Sequence, residues 1–110
     1  MSRKEYEMKN YVFIYYGGGD VGDMPMEEVR SAWMGWFEQL GDKVVDAGNP
    51  FNEGGQAVEK SGVTTIENFP ASGYSIVKAN NLAEAVAMAK TCPMLESAKA
   101  AVRVYETLPM

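Results

Sequence analysis

The sequence predicts an α+β domain in which one antiparallel sheet carries two helices on a single face. Three observations predict it. Tyr11–Tyr16 and Tyr74–Ala79 are rich in β-branched and aromatic residues, as central strands are. Two further segments repeat apolar residues at spacings of three and four, the period of a helix packed along one stripe. The last segment alternates, with Val102 and Val104 on one side and Arg103 and Tyr105 on the other, as a strand covered on one face does. At 110 residues, 46% of them hydrophobic and 23% charged, the chain has one domain's worth of core and a folded composition.

The N-terminus alternates in charge, and residues 1–9 are expected to form a mobile arm ahead of a domain spanning 10–110. The first strand, Tyr11 to Tyr16, is ended by Gly17, Gly18 and Gly19. A helix is then expected from Asp23 or Met24, with Pro25 near its first position and Glu27 and Glu28 in the first turn, where the dipole favours acids. Met26, Val29, Trp33, Trp36, Phe37, Leu40 and Val44 lay one apolar stripe along it, and Gly48-Asn49-Pro50 stops the helical segment. Gln56–Lys60 and Val63–Glu67 flank Ser61-Gly62 as an exposed hairpin would. Gly73 opens the second central strand. Asn81 and Glu84 resemble a capping box, and Leu82, Ala85, Val86 and Ala89 share one face of a short helix that ends at Thr91-Cys92-Pro93. Ala100–Glu106 is the last strand, and Pro109 closes the chain.

Strand, helix, two or three strands, helix, strand is the ferredoxin-like split β-α-β order, with both helices on one side of the sheet. The other side has no cover. Because the first strand is apolar on both faces, a second copy is expected to cover it in a two-fold homodimer, the dimeric α/β barrel arrangement.

The chain resembles the YCII-related (DGPF-like) family of dimeric α/β barrel proteins over residues 9–110. The resemblance rests on YVFIYYGGG, WMGWFEQLGDKVVDAGNPF, GYSIVKANNLAEAVAMAKTCP and VRVYETLPM, the third being the most specific. It implies a ferredoxin-like protomer, sheet-to-sheet dimerisation and a cleft between helix and sheet in each protomer; most members have no assigned reaction. The chain departs from the family pattern at Ile66–Ala71, where IENFPA replaces Asp-Gly-Pro-Phe. It also has no histidine, so the His-Asp pair proposed as catalytic in some members is not carried over.

Composition bounds the chemistry. Ten Lys and Arg against 15 Asp and Glu give a net charge of -5, the wrong sign for binding nucleic acid or an anionic membrane. Without histidine the chain alone cannot build a Ser-His or Cys-His nucleophile or a His-ligated metal or haem. Cys92 is the single cysteine, so no intrachain disulfide forms, and a reducing cytoplasm is the expected setting. With no base beside it, Cys92 reads as a buried inert thiol. Tyr11–Tyr16 is too short for a signal-peptide core or a membrane span.

Gly17, Gly19 and Gly22 satisfy G-x-G-x-x-G, but Asp20 and Asp23 would repel a pyrophosphate, so the segment reads as a flexible loop at the cleft mouth. The carboxylates of Asp20, Asp23, Glu27 and Glu28 have no ion-binding spacing and read as helix-start acids, so no metal and no cofactor is expected. The candidate ligand-binding residues are Tyr16, Trp33, Trp36, Asn49, Phe51 and Tyr74. Trp33 and Trp36 belong to the core stripe and are also candidate cleft walls. Tyr16 and Tyr74 are strand packing residues or phenolic donors. In the resembling family the end of the first helix and the following loop border the cleft, which makes Asp46 the best catalytic candidate, a carboxylate that aromatic neighbours would desolvate into a general base. Arg103 and Tyr105 are placed to reach a partner sheet as polar rim contacts.

Three functions follow as expectations. The first is a homodimer that binds a small apolar or aromatic metabolite in the cleft. The second is a cofactor-free isomerase, dehydrochlorinase or monooxygenase-like enzyme using Asp and Tyr acid-base chemistry. The third is a purely structural role in contact with another protein.

Overall fold

A computed structural model of the chain describes residues 8–17 and 25–109. The expected N-terminal arm, the glycine-rich loop and the acids Asp20 and Asp23 lie outside the described residues, apart from the arm's last two positions and Gly17. The elements are β1 (Lys9–Tyr16), α1 (Met26–Leu40), β2 (Val44–Asp46), β3 (Gln56–Glu59), β4 (Gly62–Thr65), β5 (Ala71–Ala79), α2 (Leu82–Ala89) and β6 (Ala101–Glu106). The fold is α+β. β2, β5, β1 and β6 form one antiparallel sheet in that order, and β3 and β4 form a separate two-stranded sheet.

Strand periodicity decides which side holds the core. On β1, Tyr11, Phe13 and Tyr15 are buried while Val12, Ile14 and Tyr16 are only partly so; on β5, Ser75, Val77 and Ala79 are buried while Tyr74, Ile76 and Lys78 are not. The buried set packs with Trp36 of α1 and with Ala85 and Ala89 of α2, so both helices lie on one face. Fully burying a side chain such as Phe13 is worth about 1.5–3 kcal/mol, so this layer is the main source of stability. The alanines of α2 bring its backbone close to the sheet, whereas α1 faces it through large rings. Phe13 and Trp36 stack at 6.2 Å, and Tyr15 meets Trp33 edge-on at 5.0 Å.

Four boundaries differ from the sequence reading. The first helix begins at Met26, where the Pro25 carbonyl accepts from the N–H groups of Glu28 and Val29, rather than at Asp23 or Met24, which lie outside the described residues. It ends at Leu40, not near Gly48, so Val44 and Asp46 are strand residues. Gly41 takes a left-handed conformation, φ +62°, and its N–H caps the Phe37 carbonyl, after which β-branched Val44 pairs with Val77 of β5. Val44 continued the helical period only by coincidence of spacing. The hairpin forms, but its turn is Lys60-Ser61, because Glu59 pairs with Gly62. β5 starts at Ala71, two residues before Gly73, because Tyr16 pairs with Ala71 beyond a bulge. Among the described residues, no helix is long and apolar enough to cross a membrane.

Candidate functional site

The uncovered side of the sheet gathers aromatic and charged side chains along neighbouring strands. Arg103 of β6 stands opposite Ile14 of β1, and Ile14 stands opposite Tyr74 of β5. The Arg103 guanidinium lies over the Tyr16 ring at 4.7 Å from its centre, a cation–π contact. Tyr16 also stacks on Phe69, with centroids 5.3 Å apart and planes 13° from parallel. Phe69 holds a positive φ of 45° without being glycine, a conformation that costs energy and is met where surrounding structure demands it.

A second group forms at the β2 edge. After Asp46 the chain runs beside β5: Gly48 presses on the Tyr74 carbonyl, Pro50 bridges to Gly73, and the Phe51 N–H donates to the Ser72 carbonyl at 2.9 Å. This course seats the Phe51 ring on Tyr74, stacked at 6.0 Å. The Asp46 carboxylate accepts from the Gly48 N–H at 2.8 Å and from the Tyr74 hydroxyl at 3.5 Å. Asp46 is thereby oriented, but it stands in solvent, not in the desolvated setting expected of a general base. Asn49 is exposed in the same edge segment.

Trp33 and Trp36 lie on the opposite side, under α1. Trp36 is 3% exposed and its indole N–H donates to Thr91 Oγ1 at 2.8 Å; Trp33 is half-buried against Tyr15, Trp36 and Phe37. The expected cleft between helix and sheet is therefore filled by the protein's own rings. Beneath them the Tyr15 hydroxyl donates to Ser75 Oγ at 2.8 Å, and Ser75 donates to the Ala47 carbonyl at 2.6 Å. This relay satisfies two buried hydroxyls, and burial pushes the Tyr15 phenol far above its ordinary range. Cys92 is buried, and desolvation pushes its thiol up to about 11, so it is protonated and inert at neutral pH.

The six predicted binding residues thus fall on two sides of the sheet. Tyr16, Phe51 and Tyr74 share the uncovered side, Asn49 lies at its edge, and Trp33 and Trp36 are separated from them by the strands. Two shallow grooves of about 310 and 360 Å³ lie elsewhere, one between α2 and β6 around Val86 and Val102, the other between α1 and α2 around Leu40 and Met88; neither includes a predicted site residue. Phe69 was missed by the sequence reading, although an aromatic residue just before Pro70 was the available signal. Among the described residues, no group of three His, Cys, Asp or Glu side chains is placed to hold a metal ion. Compared with protein-family models and with curated proteins, the chain matches none.

Proposed function

We propose that this chain is a YCII-related protein with a ferredoxin-like protomer, and that it works as a homodimer binding a small apolar or aromatic molecule without catalysing a reaction. The observation that carries the reading is the uncovered sheet face. Val12, Ile14, Tyr16, Tyr74 and Ile76 stand there only partly buried, a contiguous apolar surface of the kind that soluble proteins cover. The strand order β2-β5-β1-β6 with both helices on one side supports the ferredoxin-like assignment. A second copy on the open face would also wall in the stacked pairs Tyr16–Phe69 and Phe51–Tyr74, whose flat faces suit a planar apolar ligand. The ligand then sits on this side of the sheet, not under α1, where rings already fill the space. A reducing cytoplasmic setting belongs to the same reading, given the single buried cysteine.

A second reading, a cofactor-free isomerase, dehydrochlorinase or monooxygenase-like enzyme, is favoured by one contact, the Tyr74 hydroxyl 3.5 Å from Asp46. Asp46 is exposed and already takes the Gly48 N–H, which ranks binding ahead of acid-base work. Native mass spectrometry tests both halves of the proposal. The expected spectrum is a dimer with a discrete extra mass that denaturation releases and that Phe51→Ala and Tyr74→Ala diminish without dissociating the dimer. A bare monomer refutes the dimer, and a dimer whose retained mass is unchanged by both substitutions refutes the site.

A further inference from the structure

Among the described residues, β3 and β4 pack on each other and on no other element to a comparable degree. Val58 and Val63 stand opposite each other on one side of this hairpin, 78% and 57% exposed, and Ala57, Glu59 and Thr64 take the other side. A two-stranded hairpin by itself is marginal in water, and a third strand is what stabilises it. The radius of gyration, 15.5 Å against about 13 Å for a compact chain of this size, agrees with a projecting arm. Its two roots lie on the open side of the main sheet, where Phe51 stacks on Tyr74 and Phe69 on Tyr16. Edge strand β6 has the matching deficit. One side of its six residues has no strand beside it. Along that edge Leu82, Val86, Leu95, Val102 and Val104 line the apolar groove of about 310 Å³, with Leu82 and Leu95 exposed.

We propose that β3 of a second copy adds antiparallel to the free edge of β6, the hairpin of each subunit crossing to the other. The inference rests on the dimer reading above and names the segment that crosses, which leaves the body on the side where the partner sits. Strand addition to an exposed edge draws affinity from main-chain hydrogen bonds and specificity from alternate side chains. The alternation matches here. Setting Val58 opposite Val104 of the partner subunit sets Glu59 opposite the partner's Arg103 and Ala57 opposite the partner's Tyr105. Val104 pairs with Phe13 and so faces the helices, whereas Arg103 and Tyr105 pair with Ile14 and Val12 and face the open side. Val58 therefore enters the apolar groove, and Glu59, on the other side of its strand, meets a guanidinium. Among the described residues neither Glu59 nor Arg103 belongs to an ion pair. A slip of one residue would turn Glu59 into the groove and Val58 away from it, so the register is specified. β4, Gly62–Thr65, carries no charge to offer Arg103, and the other edge strand, β2, is three residues long. Reciprocal exchange makes the contact twice and closes the pair.

Disulfide trapping tests the crossing. Cys92 is buried and protonated at neutral pH, so added cysteines react ahead of it. Val58→Cys and Val104→Cys are combined in one chain, checked for folding by circular dichroism, and oxidised. The expected product is a disulfide-linked dimer. Each substitution alone should stay unlinked, and Glu59→Cys with Val104→Cys, on opposite sides of the sheet, should link about tenfold less. Hydrogen exchange gives a second reading that does not need Val104 replaced: the edge amides of β6 should be protected in the wild type and exchange about tenfold faster in Val58→Asp. A dimeric wild type whose folded double variant stays unlinked or links within one chain, or whose β6 edge amides are unaffected by Val58→Asp, overturns the crossing hairpin and leaves the dimer standing. A wild type that is monomeric by sedimentation equilibrium overturns both.

Discussion

At the residue scale, Gly48 decides where the candidate site's edge runs. A Cβ added there would fall 1.7 Å from the Tyr74 carbonyl oxygen, and the residue holds φ +76°. No side chain fits without moving the backbone, and the backbone is what carries Asp46 and Phe51 alongside Tyr74. Gly48→Ala is expected to cost about 2–4 kcal/mol in urea denaturation and to weaken the Phe51–Tyr74 stack. Gly41→Ala is the control: φ is +62°, but nothing lies within 4 Å of the added carbon, so only the left-handed conformation is penalised, by about 1–2 kcal/mol. Equal losses at the two positions would show that the close approach to Tyr74 does not matter. Asp46 and Tyr74 were legible as polar candidates from residue type; their contact was not, because it depends on a three-residue strand that periodicity hid.

At the scale of elements, the start of α2 joins three parts of the fold. The Asn81 side chain accepts the Glu84 N–H at 2.8 Å, as the Asn-x-x-Glu spacing predicts. The Glu84 carboxylate does not complete a reciprocal box with Asn81. It accepts instead from the Asn80 side chain at 3.1 Å and backbone at 3.3 Å, and from Lys43 at 3.3 Å, tying α2 to the turn before β2. These bonds, the Asn80 side-chain bond foremost, hold its carboxyl below the ordinary value, so the folded state releases this proton more readily than the unfolded chain. The stabilisation is then present above the ordinary carboxylate range and lost as pH falls through the depressed folded value. Thermal unfolding should show wild type losing its advantage over Glu84→Gln between neutral and acid pH; a constant gap across that range contradicts the linkage. The same turn explains why β2 escaped notice. An apolar stripe from Met26 to Val44 is one continuous period in sequence, and only the left-handed Gly41 breaks the helix.

At the scale of the whole molecule, the sheet has one finished face and one unfinished face. Ile14 is at the centre of the latter, between Arg103 and Tyr74 on a central strand. Ile14→Asp should give monomer or aggregate in size-exclusion chromatography, because a second copy would bury an unpaired charge there, at a cost of several kcal/mol. A soluble dimer of unchanged stability would count against the open sheet face as the dimer interface. The strands β1, β5 and β6, the hairpin, the alternation along β6, the second helix and its N-cap, and the absence of histidine were legible in the sequence alone, because periodicity, capping and composition are local properties of the chain, whereas β2 was not. The tertiary structure alone decided which candidates meet. Alternate residues of one strand point to opposite sides, so the register of β1, β5 and β6 sends Trp33 and Trp36 into the core with Tyr15, and sends Tyr16, Tyr74, Phe51 and Arg103 to the open face, a division that exists only once the strands are paired.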